Sequence, residues 1–493
     1  MSTGAERARE RVREAGGDEL AERLDHLDAL RRAKRETPAA LLGAPVAMPA
    51  APAPGDALDA DVVVAGGGLW SLLAPILAER GLRVVVLERA RAGQAHREWN
   101  ASGPELEALV RAGLFDRAGL ERLVVSRYDR GVCAFAGGGR YPVTGVLDHA
   151  VDAGQLVAEA RTLAEARGVR MLDGHTLLSH ATSRAGVRVR VAHDGRESEL
   201  TARVLVDARG AASPYATADL VCPTVGGVME GLAEGDGPDE MNPRVGEILA
   251  TVDGVSADGR QHVWEAFPGR PGQHTVYVFY YARAGELVSL TELYARFFDT
   301  LGTYKRGHAR LVRPTFGLIP GWSRLTPAPA SHDPRVVLVG DAAARHSPLT
   351  YCGFGAMLRS LESARDVVVA KASGELGAGS ECAVDDAPIH ALTGALAHMM
   401  ASRALAGDEL NALLDAAFHT LHEAGNETYA ELLRDEMSAP AFVAFLRRTA
   451  SRHPAVWGQV VRGLGLWTAG RWGFGITRRM LRASVTSRPT ATA

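Results

Sequence analysis

The chain is poor in several things, and each shortage excludes a class of protein. Its four cysteines, Cys133, Cys222, Cys352 and Cys382, are far apart and form no CxxC pair. Neither a zinc site nor a disulfide framework is indicated, and a reducing compartment fits. No excess of either charge is present: 55 Lys and Arg stand against 58 Asp and Glu, a formal net charge of −3. Without a basic tract interleaved with aromatics in the body of the chain, nothing calls for nucleic acid. No uninterrupted apolar run approaches the ~20 residues of a membrane span. The Arg- and Glu-rich amino terminus also lacks the apolar stretch of a secretory signal, so cytoplasmic residence is the expectation. What remains is ample for a core: 46% of 493 residues are hydrophobic, enough for two or three domains.

Glycine is where the sequence speaks. One cluster, Gly66-Gly67-Gly68, follows the apolar run Asp61-Val62-Val63-Val64-Ala65 and precedes a helical pattern through Leu72, Leu73, Ile76 and Leu77. That is the strand-turn-helix setting of a dinucleotide fingerprint, whose backbone amides, from Leu69 onward, can hold a pyrophosphate. Ser71 stands at the third glycine position and asks the helix to carry a small side chain against the strand. Leu82-Arg83-Val84-Val85-Val86-Leu87-Glu88 reads as the next parallel strand, with Glu88, followed by Arg89, placed to accept from the adenosine ribose hydroxyls. The second cluster lies far downstream, in Val339-Gly340-Asp341-Ala342-Ala343 running into His346-Ser347-Pro348-Leu349-Thr350-Tyr351-Cys352-Gly353-Phe354-Gly355. Two clusters in this order point to FAD.

Along the rest of the chain, Asp18 to Lys34 carries Leu20, Leu24, Leu27 and Leu30 among charges, an amphipathic surface helix. Thr37 to Ala60 is rich in Ala and Pro and reads as an extended linker. A helical pattern over Gln155 to Ala166 leads into the strand Val169 to Leu172, and alternating Val187, Val189 and Val191 suggest an antiparallel ribbon ending in Val204 to Asp207. Pro223 to Thr315 holds several strand candidates, notably Val276 to Tyr281, and reads as a sheet laid over the cofactor. After Arg359 the pattern is helical almost to the end.

The distribution of motifs resembles the CruA/CruP-type lycopene cyclases, within the FAD-dependent oxidoreductases that also include geranylgeranyl reductases and aromatic monooxygenases. The resemblance rests on the Gly66 to Gly68 turn and on Arg97-Glu98-Trp99-Asn100 with Ser102 and Glu105-Leu106. It continues through Val206-Asp207-Ala208-Arg209-Gly210 with Ser213-Pro214, Cys222 with Val225-Gly226, Trp264-Glu265-Ala266-Phe267-Pro268, and Gly340 to Arg359. Where the family pattern reads Trp-Asn-Ile-Ser, Ala101 replaces the isoleucine. The expected fold class is α/β: a Rossmann-like FAD-binding domain of the glutathione-reductase-like flavoprotein type, with an inserted mixed-sheet substrate domain and a C-terminal helical region. The corresponding divisions are an N-terminal helix and linker (1–60), FAD-binding parts at 61–222 and 331–372, a substrate domain at 223–330, and the helical region at 373–493.

Each candidate has a chemical and a plain reading. Asp341, after the strand Val336 to Val339, either contacts the cofactor or caps the following helix. Gly353 and Gly355, flanking Phe354, either turn a helix start toward the flavin pyrimidine or form a tight turn; Pro348 would lie against the ring. Trp99 and Asn100 border the flavin in the resembling family, while a core tryptophan is the rival. Asp207 and Gly210, with Arg209 and Ser213 after them, fall where the chain crosses the adenosine-pyrophosphate region. Glu265 matches the family's presumed active-site carboxylate; an apolar aromatic frame would keep it protonated, unless strand alternation turns it to water. Glu230 is a second, weaker acid. His419, His422 and Glu423 share a helical face, which reads as solvated because a metal needs further converging ligands. Trp457, Leu464, Leu466, Trp467, Trp472 and Phe474 are interleaved with Arg462, Arg471, Arg478, Arg479 and Arg482. Residues 456–482 can therefore lie in a lipid headgroup layer, on the inner face of the cell membrane, or pack on the body.

The resemblance implies cyclisation of lycopene ends with reduced FAD, started by a proton from Glu265. NAD(P)H would serve as reductant and an apolar carotenoid or isoprenoid as substrate. The alternatives are an NAD(P)H-dependent flavin oxidoreductase, either prenyl reductase or hydroxylase, and a non-catalytic flavin- or carotenoid-binding protein.

Overall fold

The computed structural model describes residues 3–36, 48–95, 98–216, 218–254, 256, 259–325, 333, 335–343, 347, 349–350, 352–375, 389–405 and 408–486. Its first layer is a five-stranded parallel sheet in the order Val336–Leu338, Val204–Asp207, Val62–Ala65, Val84–Glu88, Arg170–Asp173. Val62 pairs with Val204 on one side and Val84 on the other. Such strands are apolar without a break because both faces are covered. Successive side chains divide between two cores: Val62, Val64, Val84 and Val86 meet the helices, whereas Val63, Ala65, Val85 and Leu87 meet the ribbon formed by Thr176–Thr182, Val187–His193 and Arg196–Ala202. The alternating valines at 187, 189 and 191 are buried against the sheet as the periodicity requires.

A larger mixed sheet follows the order Ala282–Arg283, Leu220–Leu232, Gln273–Phe279, Val263–Pro268, Val245–Ala250, Arg130–Ala134, Arg140–Val143, with Gly307–Gly321 also paired to Leu220–Leu232. It begins before residue 223 and recruits strands from the 130s and 140s, because Val245–Ala250 offers Arg130–Ala134 a free edge. One face packs on Leu290–Tyr304 and on the N-terminal helix. The other faces helices from the carboxyl-terminal third of the chain.

The N-terminal helix runs from Gly4 to Glu36, well beyond the expected Asp18 to Lys34, with a bend at Gly17 (φ 81°). Leu24 is fully buried against the sheet layer. Asp28 reaches across to cap another helix, accepting from the Leu290 and Thr291 amides at 2.7 and 3.1 Å and from Ser289 Oγ at 2.7 Å. Of the Ala/Pro-rich stretch, 37–47 lies outside the described residues.

Candidate functional site

At the end of the first strand the chain turns through Gly66 with φ 121°, and a methyl group there would stand 2.4 Å from the Ala208 carbonyl oxygen. One added at Gly67 would stand 2.5 Å from Ala92 Cβ, while Gly68 opens on free space. The first two glycines therefore let the turn press against its neighbours, and the third leaves room for a ligand to approach. Gly68 then precedes a short 3₁₀ turn, Leu69–Leu72, that continues directly into the helix Leu73–Glu79 with no side-chain cap. Glu88 binds this turn to the second strand: Oε2 accepts from the Gly67 amide at 2.7 Å and Oε1 from the Ala90 amide at 2.9 Å. Each carboxylate oxygen keeps a lone pair for a hydroxyl. Arg89 is exposed beside it.

Asp207 is fully buried, and its carboxylate is taken up locally. It accepts from the Arg209 amide, Nε and Nη2 and from Ser213 Oγ, at 2.7 to 3.1 Å. In this structure Asp207 fixes the loop through Gly210 (φ 63°), and Gly210 lies beside Asp341. Asp341 occupies a 3₁₀ turn, Gly340–Ala342, directly after the strand Val336–Leu338. The two glycine clusters meet here, for Gly340 lies against the indole of Trp70 from the first turn.

Gly353 starts the helix Gly353–Ala372, again with no side-chain cap. Phe354 is buried and packs on Trp99 with ring centroids 5.0 Å apart. Trp99 is thus partly a packing residue, yet it packs at this helix start. Asn100 is joined to the larger sheet by the Tyr128 hydroxyl, 2.7 Å from Asn100 Oδ1 and 3.1 Å from the Pro268 carbonyl. A second tie runs from the Tyr281 hydroxyl to the Leu349 carbonyl. The larger sheet is thereby fastened to Leu349 within the second glycine cluster and to Asn100, the neighbour of the Trp99 that packs on Phe354. Pro348 and Arg97 lie outside the described residues.

Glu265 sits on Val263–Pro268, where alternation sends Trp264 and Ala266 into the core beneath Leu290–Tyr304 and Val263 and Phe267 to the opposite face. Its own side chain shares that opposite face, which is covered by protein rather than water. Burial alone pushes its pKa up to about 8. Among the described residues it has neither a hydrogen bond nor an ion pair. The residue as a whole is of intermediate exposure. The thiols of Cys222 and Cys352 and the phenol of Tyr281 lie within its electrostatic reach; burial first, and then neighbouring charge including Glu265, raises the pKa of each. Cys352 immediately precedes the Gly353 helix, so the acid and that helix start share one locality. Glu230 is different: it is bound to Gln273 Nε2 at 2.9 Å and to Arg310.

Two features escaped the sequence reading. Glu105, in the third position of the helix Gly103–Arg111, accepts from the Ser102 amide at 2.9 Å and pairs with Arg359, which also reaches Asp435 at 3.3 Å. Its signal was the Ser102-Gly103-Pro104-Glu105 capping pattern; the partners are 254 and 330 residues away. The role of Trp70 carried no signal at all. His419 bonds Glu423 at 3.2 Å and meets the edge of Tyr141, and among the described residues no group of three or more potential ligands converges on a metal position. Nor, among those residues, is any helix long and apolar enough to cross a membrane.

No protein-family profile matches the chain, and no curated protein does. Solved structures do. A geranylgeranyl bacteriochlorophyll reductase-like protein from Thermoplasma acidophilum is 16% identical, with 82% of this chain and 98% of that one covered and a TM-score of 0.51. Halogenase PltM in complex with phloroglucinol and FAD is 13% identical over 88% of this chain and 93% of its own, TM-score 0.55. CabE, an aromatic hydroxylase from angucycline biosynthesis, is 20% identical over 76% of each chain, TM-score 0.52. At these identities the likeness establishes the fold: a Rossmann-type flavoprotein architecture, as the glycine clusters led one to expect.

Proposed function

We propose that the chain is an FAD-dependent enzyme acting on a long apolar polyene, with Glu265 as its acid and ring closure at the ends of lycopene as its reaction. The observation that carries this reading is the unpaired Glu265 carboxyl, held uncharged near neutral pH by burial and set beside the start of the Gly353 helix. The described residues suit FAD. Gly68 leaves space at a helix start without a side-chain cap, Glu88 retains acceptor capacity for a ribose, and Gly353 would meet nothing within 4 Å of an added methyl group. When bound and reduced, with NAD(P)H as electron source, the cofactor supplies negative charge beside a developing cation.

Glu265 would give its proton to the terminal double bond of the substrate. The cation formed at the tertiary carbon is attacked by the neighbouring alkene, which closes the ring, and loss of a proton from carbon leaves an isomer of the starting polyene. Protonating an alkene needs an acid that still carries its proton, and burial keeps the Glu265 carboxyl neutral near neutral pH although its raised pKa makes it an intrinsically weaker donor. Val263, Phe267, Phe279 and Ala397 make the surroundings of this sheet face apolar, which suits a hydrocarbon. Expression in a lycopene-accumulating host tests the reading. Cyclic carotenoids should form with the parent and not with Glu265→Gln, while the variant keeps its flavin absorbance. Unchanged product from that variant removes Glu265 from the chemistry.

A second reading, redox chemistry on an isoprenoid or aromatic substrate, is favoured by the similarity to reductase-like and hydroxylase structures. For the reductase alternative, Glu265 would supply the proton that, together with a hydride, saturates a substrate double bond. Stoichiometric NAD(P)H consumption with substrate distinguishes it from cyclisation, which consumes none per turnover.

A further inference from the structure

We infer that the outer face of the last two helices docks on an anionic lipid surface. The helices Val456–Leu464 and Leu466–Thr486 each have a buried side and an open one. Inward go Val456, Val460 and Leu464 from the first and Trp472 from the second, all part of the core beneath. Outward stand Trp457, Leu466, Trp467 and Phe474, at 59%, 78%, 80% and 72% exposure. Among the described residues, five of the eight exposed large hydrophobic side chains, Trp457, Val461, Leu466, Trp467 and Phe474, belong to these two helices. Packing on the body thus accounts for half of the aromatic segment and leaves the other half uncovered.

Charge identifies the occupant. From Met437 to Ala493 the sequence contains no Asp or Glu and nine Arg, so the net charge of −3 divides into +9 on this segment and −12 on the remainder. On the final helix, Trp467, Arg471, Phe474 and Arg478 recur at intervals that bring them to one side. Arg471 and Arg478 have no acidic partner among the described residues, whereas Arg462 bonds Glu409 at 2.5 Å. Aromatic rings flanked by unpaired arginines fit the boundary between acyl chains and anionic headgroups, with the rings in the apolar zone and the guanidinium groups at phosphate. A second copy of this chain would bring the same positive charge against itself.

The surface also adjoins the candidate site. Gly463 lies so close to Met399 that a methyl group would stand 2.6 Å from its Cγ, which brings the helix His390–Met400 directly beneath. On its other side Ala397 packs with Cys222, Val263 and Tyr281, on the sheet face that bears Glu265. The helix His390–Met400 therefore stands between the last two helices and the sheet face that bears Glu265, which sets a short path for an apolar substrate. The path rests on the function proposed above; the docking surface does not.

Co-sedimentation of the full flavin-loaded chain with vesicles of phosphatidylglycerol and phosphatidylcholine, against phosphatidylcholine alone, tests the surface. Binding to the anionic vesicles is expected, weakened by high salt. Arg471→Gln and Arg478→Gln should each weaken it roughly fivefold, and Trp467→Ser with Phe474→Ser roughly tenfold or more. Flavin content and circular dichroism of the variants should match the parent, since all four side chains are exposed. Absence of binding, equal binding to neutral vesicles, or a dimer seen by light scattering that Trp467→Ser dissolves would overturn the inference. Cyclisation measured on detergent-dispersed substrate reports on Glu265 separately, so the two proposals can fail independently.

Discussion

The indole of Trp70 lies against Gly340, so that a methyl group on the glycine would stand 2.6 Å from the indole Nε1. Two turns separated by 270 residues of sequence are thereby held in contact at the edge of the parallel sheet. Trp70 is buried in the helix-side core and cannot swing aside.

Gly340→Ala should accordingly damage both stability and cofactor retention. Gly340 has φ 58°, where a Cβ costs about 1–2 kcal/mol before any clash is counted. A lower melting temperature and a reduced flavin-to-protein absorbance ratio are expected. Gly470→Ala is the control: that glycine lies in the final helix with open space around it, and alanine there should be neutral or stabilising by up to about 1 kcal/mol.

Glu265 makes stability depend on pH in a direction opposite to that of a salt-bridged carboxylate. Its folded pKa of about 8 lies above the ordinary 4.5, so between these values the native state holds a proton that the unfolded chain has lost. Stability should fall as pH rises through that window and level off above it. Glu265→Gln removes this dependence. At pH 8 the variant should be more stable than the parent by several kcal/mol, on the order of 3–5, with the difference vanishing below pH 4.5. Urea midpoints at the two pH values check this.

Arg359 holds two buried carboxylates, Glu105 at 5% and Asp435 at 1% side-chain exposure. Arg359→Met leaves both without their cation, and breaking a buried pair from one side costs about 3–5 kcal/mol. Denaturant unfolding should show that loss. The Gly353 helix carries Arg359, so flavin affinity should fall with it.

Asp28→Ala should cost about 1 kcal/mol, because its carboxylate accepts from the Leu290 and Thr291 amides at the start of a helix 262 residues away. A shift in urea midpoint with an unchanged slope is the expected signature. Unchanged flavin content would show that the N-terminal helix acts on the sheet layer and leaves the cofactor region alone.

Much of this was written locally. Unbroken valine runs at 62–64 and 84–86 forced strands covered on both faces, the glycines at 66 to 68 forced a tight turn between strand and helix, and alternating valines forced the ribbon. These depend on neighbours in the chain, and periodicity records such neighbours. Sequence also offered Glu265 as an acid, but it left open whether the side chain met water or protein.

Only the tertiary structure decided that question, since the answer lies in helices more than a hundred residues downstream that cover the second face of the sheet. It likewise decided that Asp207 is spent on Arg209 and Ser213, that Glu105 and Asp435 share Arg359, and that the C-terminal aromatics divide into a packed half and an open half. Whether a carboxyl is neutral, paired or solvated depends on which distant groups fold around it, and no local pattern encodes that.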